Sequence, residues 1–204
     1  VNANGYRKVK SADIAKISDD KTTLGKIENI ECDCICVSGF WTPTIHLASQ
    51  SGGKTKFNEE IDAFIPSKSK QNETTVGSAN GIFNLQDSLN TSFEAGYNLS
   101  KKITNEDNKL SVPTVVEKKN SKHDKFWCVP LPKGKKYKRF LDFQNDVAVS
   151  DIEIAIKEGY RSIEHVKRYT TLGMATDQGK TRNQKVLQLV SNIEKKLVPE
   201  VGHT

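Results

Sequence analysis

Between Gly159 and Arg182 the chain reads GYRSIEHVKRYTTLGMATDQGKTR, a segment whose residue types suit capture of an anion. Lys167 and Arg168 are adjacent cations, Thr170 and Thr171 carry hydroxyls, and Gly173 and Gly179 mark turns where backbone amides can converge. Donors and positive charge gathered without acceptors are what a phosphate requires. A second reading of the same residues stays open, because Lys and Arg in the last turn of a helix oppose the negative end of its dipole and need no ligand. His165 stands one residue before an inward valine with no acid or nucleophile at matching spacing, and His46 and His203 are as isolated. No general acid–base set can be assembled from them.

The segment needs helices to hold it. Ser150-Asp151-Ile152-Glu153 has the form of a capping box opening a short helix, with Ile152, Ala155 and Ile156 on one face and Gly159 closing it. Ser162 starts a second helix with Ile163 and Val166 inward. Thr181 and Gln184 repeat the box for a third, which carries Val186, Leu187, Val190, Ile193 and Leu197 until Pro199 stops it. Residues 140–199 thus form a small three-helix domain that presents the loop from Lys167 to Gln178.

Upstream, residues 5–31 alternate loosely and turn at Asp19-Asp20 and Gly25, as in a small antiparallel meander. Ile30 to Ser38, IECDCICVS, is an almost continuous apolar run of the kind buried on both faces in the middle of an α/β sheet. Such sheets bind ligands at the carboxyl ends of their strands, so Gly39, Phe40, Trp41, Thr42 and Pro43 are candidates to line a crevice. A turn with a packed tryptophan fits the same residues. Lys56 to Ile65 reads as one further strand ahead of Pro66. The turn from Val76 to Gly81, VGSANG, feeds a helix from Leu85 to Ile103, which Asn84 caps and in which Leu85, Leu89, Phe93 and Leu99 form a stripe. A glycine turn before a helix amino end is a phosphate geometry, with Gly77, Ser78 and Gly81 as its members, or simply a loop and a cap. The fold class expected is α/β plus α.

Composition narrows the function classes. The formal charge is +6, yet residues 118–139 hold nine Lys and Arg against Asp124 alone, so the rest of the chain sums to about −2. Basicity is therefore local, and the cluster of Phe126, Trp127 and Val129 inside it falls short of a base-stacking platform, so no nucleic-acid partner is expected. Cys32, Cys34 and Cys36 alternate with apolar residues and read as buried small hydrophobes, not metal ligands, and together with Cys128 they fit a reducing cytoplasm. No apolar run approaches the roughly 20 residues of a membrane span. A chain that starts at Val1, with Met174 its only methionine, is expected to be an internal piece of a longer polypeptide.

FLDFQNDVAVSDIEIAIKEGYRSIEHVKRYTTLGMATDQGKTRN resembles the alpha subunits of bacterial heterotetrameric sarcosine oxidases, and CICVSGFWTPTIHLASQSGGK and VGSANGIFNLQDSLNTSFEAGYNL resemble the same subunits in the same order. The resemblance implies four parts: residues 1–106 as the C-terminal part of a two-dinucleotide-binding-type NAD domain, 107–138 as a basic linker, and 139–199 as the helical domain. Residues 200–204 would begin a folate-associated aminomethyltransferase-like domain. It implies NAD in the alpha subunit, with Gly39, Trp41, Gly77, Ser78 and Gly81 in its closing motifs, and Ser78 where many relatives carry an acid. It implies FMN at the junction with a beta subunit, FAD and tetrahydrofolate elsewhere in the complex, and gamma and delta subunits as further partners. Lys167, Arg168, Thr170 and Thr171 would then lie near the FMN phosphate, and Met174, Gln178 and Gly179 nearer its ring or the partner. The helical domain also resembles two-iron, two-sulfur modules whose four cysteine positions here become Asp142, Gln144, Asp177 and Arg182. No thiolate remains there, so no iron–sulfur cluster is expected.

Two alternatives stay in view. One is the alpha subunit of a related two-flavin amine, proline or opine dehydrogenase, whose members more often keep the cluster cysteines. The other is a nonenzymatic module that binds anions or nucleic acid through residues 118–139.

Overall fold

The computed structural model describes residues 2–36, 41–105, 107, 111–116, 126–132, 134, 137–180 and 182–202. The chain forms two compact units, one made of residues 1–38 and 126–204, the other of residues 39–125.

In the first unit, β1 (Asn2–Gly5), β2 (Val9–Ile17) and β3 (Leu24–Glu31) make the expected antiparallel meander. Ser18 to Thr23 form the β2–β3 turn. There Asp20 accepts hydrogen bonds from the hydroxyls of Ser18 and Thr22 and from the Thr22 amide, which hold its pKa at about 2. Gly25 lies inside β3 and not in the turn. The apolar run from Ile30 to Ser38 is not a central strand over its described part. β3 ends at Glu31, and the Cys32 amide to the Lys10 carbonyl is its last cross-strand bond, because β2 begins at Val9 and offers no further partner. Cys34 and Cys36 are consequently exposed and not buried.

In the second unit, α1 (His46–Gln50) precedes a hairpin of β4 (Lys54–Asn58) and β5 (Ala63–Lys68). The single strand expected from Lys56 to Ile65 is thus two. Asn58 Oδ1 accepts from the Glu60 amide and Asp62 takes φ +55°, so a local side-chain turn reverses the chain. Ala63, Phe64 and Ile65 form the buried part of this unit. A 3₁₀ turn at Gly77–Asn80 leads to α2 (Leu85–Thr104), where Asn84 Oδ1 accepts from the Asp87 amide at 2.9 Å, as its sequence position predicts. No residue of α2 is buried, and Leu85 and Leu99 of its stripe are exposed. Gln86 binds the strap of residues 113–115, donating to the Pro113 carbonyl and accepting from the Val115 amide.

The first unit resumes with β6 (Phe140–Asp142) and β7 (Val147–Ala148), a two-stranded ribbon followed by α3 (Val149–Lys157), α4 (Ile163–Thr170), α5 (Asn183–Glu194) and α6 (Val198–Val201). Its core is apolar: Ile152, Val166, Leu172, Val186 and Val190 are all at most 1% exposed. The Ile152→Ala variant is expected to lose about 2–5 kcal/mol of local stability by leaving a cavity, as read from hydrogen exchange of α3 and α5 amides in the full chain.

Three details depart from the sequence reading. The capping bond of α3 comes two residues earlier, with Asp151 accepting from the Ala148 amide, while Glu153 pairs with Arg139 at 3.7 Å. Val149 must be buried, which draws the helix start onto the end of β7. Helix α5 stops at Glu194, where Lys195 turns left-handed at φ +54°, so Leu197 stands 70% exposed outside it. Pro199 lies in the first turn of α6, where its missing amide costs nothing. Thr181, expected to cap α5, lies outside the described residues.

Candidate functional site

The loop between α4 and α5 is clamped to the β6–β7 turn. Asp142, with no solvent exposure, accepts from the amides of Gln144 (2.8 Å), Asn145 (3.1 Å) and Gly173 (3.1 Å). Gln144 Oε1 accepts from the Thr176 amide at 3.0 Å, and Asn145 Nδ2 donates to the Thr171 carbonyl at 2.8 Å. From the other side Arg182, at the amino end of α5, pairs with Asp177 and lies 3.7 Å from Asp142. Burial alone would raise the Asp142 pKa. The three amides and the Arg182 guanidinium outweigh it and hold the carboxyl below its ordinary 3.8.

Asp142, Gln144, Asp177 and Arg182, the four positions that the resemblance aligns with cluster cysteines, therefore do converge. Their chemistry does not fit an iron–sulfur cluster: Arg182 has no lone pair to give, and Asp142 already spends its oxygens on amides and a guanidinium. Among the described residues no group of three or more His, Cys, Asp and Glu could hold a metal ion.

The anion candidates are placed as follows. Lys167 and Arg168 occupy the last turn of α4, Arg168 exposed and Lys167 3.9 Å from Glu164. The Thr170 and Thr171 hydroxyls donate to the carbonyls of Val166 and Thr170, so their protons are already committed. Met174 is 56% exposed and Gln178 is exposed, its amide group donating to the Ala175 carbonyl. Gly179 is buried at φ +73°. A methyl there would meet Asn183 Oδ1 at 2.3 Å, so this glycine serves the closure of the loop. Sequence reasoning singled out Gly173 and Gly179 but missed Asn145 and Asn183, which have no spacing signal of their own. The exposed Phe143, in the turn that carries Asp142, was missed for the same reason.

In the other unit, the ring of Trp41 lies 6.3 Å from that of Phe83, which follows the Gly77–Gly81 turn. Trp41 is 66% exposed, and Ser78 is exposed. At Gly77 (φ +62°) a Cβ would make ordinary contact with Ser88, 3.9 Å from its Cβ and Oγ. At Gly81 (φ +79°) a Cβ would approach Ile61 to 2.6 Å, so that glycine packs the turn onto the β4–β5 hairpin. Gly39 lies outside the described residues, as does half of the basic stretch at 118–139. Among the described residues no helix is long and apolar enough to cross a membrane.

Residues 136–204 match the family described as the sarcosine oxidase A3 domain. The chain is 36% identical over 185 residues to sarcosine oxidase subunit alpha of Rhizobium meliloti (strain 1021), a match covering 88% of this chain and 18% of that one. It is 31% identical over 195 residues to the subunit of the same name from Corynebacterium sp. (strain U-96), covering 90% and 19%. The chain thus spans about a fifth of the length of these curated relatives. A crystal structure of L-proline dehydrogenase from P. horikoshii superposes on the whole chain and 40% of its own with a TM-score of 0.52 at 20% identity, a likeness of fold with mixed helix and strand. Residues 136–204 thus belong to the sarcosine oxidase A3 domain family, and the chain as a whole is similar to a segment of sarcosine oxidase alpha subunits.

Proposed function

We propose that this chain is a cofactor-holding segment of an oxidoreductase complex that oxidatively demethylates sarcosine to glycine, with oxygen as acceptor, in the cytoplasm. The relatives' shared name and the A3 match at residues 136–204 support the assignment to this complex. The observation that carries the local reading is the loop after α4: it is tied down at its backbone while Arg168, Met174 and Gln178 face outward. In this reading Lys167 and Arg168 attract the phosphate of FMN at the junction with a beta subunit, and Met174 and Gln178 contact its ring or the partner. Thr170, Thr171 and Gly179 shape the loop around it. Trp41, Gly77, Ser78 and Gly81, with Gly39, border NAD in the other unit. Bound flavins supply the redox chemistry, accepting electrons from sarcosine and passing them to oxygen as peroxide, while the released one-carbon unit leaves as formaldehyde or on tetrahydrofolate. This segment positions cofactors and carries no catalytic residue, and gamma and delta subunits complete the assembly.

The test uses the full alpha chain co-expressed with its partner subunits. Lys167→Ala/Arg168→Ala should lower FMN retention after gel filtration at least about tenfold, because each charge-assisted contact is worth about 1.5–3 kcal/mol. Unchanged FMN content in an assembled, active complex would make the two cations an ordinary helix end.

A further inference from the structure

We infer that the network of Asp142, Gln144, Asp177 and Arg182 is a positioning device that holds the loop from Thr171 to Lys180 in the conformation presenting Met174 and Gln178 outward. The inference rests on the proposed role of that loop and assigns the residues that make the loop competent.

The contacts fall on the loop backbone at three separated points. The β6–β7 turn binds the Thr171 carbonyl through Asn145, the Gly173 amide through Asp142 and the Thr176 amide through Gln144. Backbone bonds fix a loop's course whatever its exposed side chains do, so the outward residues can meet a partner without also having to order the loop. Arg182 closes the arrangement from α5. It spans Asp142 on the turn and Asp177 on the loop, and its side chain is only 13% exposed. A planar guanidinium can address two carboxylates at once, whereas an ammonium is a single point of charge. With the Arg182 side chain removed, the loop would lose its ion pair to the start of α5 and keep only the backbone bonds from residues 182 and 183 to Gly179. The charges of Asp142 and Asp177 would be left without the cation between them.

A scaffold elsewhere tied at these positions by a metal cluster would be sensitive to iron and oxidant. This one is held by charges and hydrogen bonds, and its loop should not respond to either. Arg182, Gln144 and Asp177 are therefore positioning residues, acting through the loop on whatever the loop touches.

The experiment is amide hydrogen exchange across residues 171–180, with FMN retention measured on the same samples, in the full alpha chain assembled with its partner subunits. In Arg182→Met the amides from Thr176 to Gln178 should exchange at least about tenfold faster, Arg182→Lys should recover part of the protection, and Gln144→Leu should expose the Thr176 amide most. Faster exchange together with lowered FMN retention supports both the device and the flavin-facing role of the loop. Faster exchange with FMN retention unchanged keeps the device and removes the flavin-facing role. Exchange unchanged in both Arg182→Met and Gln144→Leu overturns the inference, whatever FMN does. Should Arg182→Met fail to assemble, Gln144→Leu decides alone, since it removes one bond from an exposed side chain.

Discussion

Replacing Asp142 by alanine is expected to destabilise the A3 domain by about 3–5 kcal/mol, the largest loss from any single polar side chain among the described residues. The carboxylate is wholly buried and satisfies three backbone amides at once, those of Gln144, Asn145 and Gly173. Its removal leaves those donors without their acceptor and Arg182 short of one of its two acids. Each buried donor left without a partner costs about 1–3 kcal/mol. The loss is measurable as faster exchange of the Val166, Val186 and Val190 amides in the full chain, since these residues lie in the core that the clamp closes. Asp142→Asn should fall between the two, because its amide keeps one acceptor but turns an NH₂ toward a donor. Acid should act on the unaltered protein in the same direction. The folded carboxyl has a pKa below 3.8, so the folded state takes up the proton less readily than the unfolded chain. Its contribution is complete above that ordinary value and is lost as pH falls through the lower, folded pKa. Acid unfolding of Asp142→Ala should accordingly have a shallower dependence on pH in that window, and an unaltered slope would show that other carboxylates set the acid limit.

Gly179→Ala should cost about 2–4 kcal/mol, combining left-handed strain with overpacking. The glycine has φ +73°, and the new methyl would stand 2.3 Å from Asn183 Oδ1 and 2.9 Å from its Cγ. Asn183 is the first residue of α5 and its Oδ1 is buried, so the side chain has little room to retreat. Gly173 is packed against the same pair, since its own Cβ would come within 3.0 Å of Gly179 Cα and 3.4 Å of Asn183 Oδ1. Gly159→Ala is the matched control. It also has positive φ, +99°, but nothing lies within 4 Å of its Cβ, so only the strain of about 1 kcal/mol remains. Equal losses for the two variants, measured by the same exchange experiment, would place the effect in the backbone alone and leave the Gly173–Gly179–Asn183 contact without weight.

How much of this was legible beforehand follows from the range over which each determinant acts. Helices α2, α3, α4 and α5 were readable because their signals are local: Asn84 three residues before Asp87, Ile152 and Ala155 on one turn, Ile163 and Val166 on the next, and Val186, Leu187 and Val190 in register. The meander was readable for the same reason, as alternation between turns. Its end was not, since β3 stops where β2 ceases to accompany it, and nothing in IECDCICVS records the length of another strand. The turn that splits residues 56–65 into a hairpin depended on one asparagine side chain bonding its own backbone.

The candidate site divides along the same line. By itself the sequence determined that a glycine-punctuated loop with two cations at its head would follow a helix, because composition and short-range propensity suffice for that. Only the tertiary structure decided that Asp142 and Arg182, forty residues apart, meet over Gly173 and Asp177 and leave Met174 outside. A buried charge gives no periodic signal, and its partner is chosen by how the ribbon and the helices pack together, not by spacing along the chain.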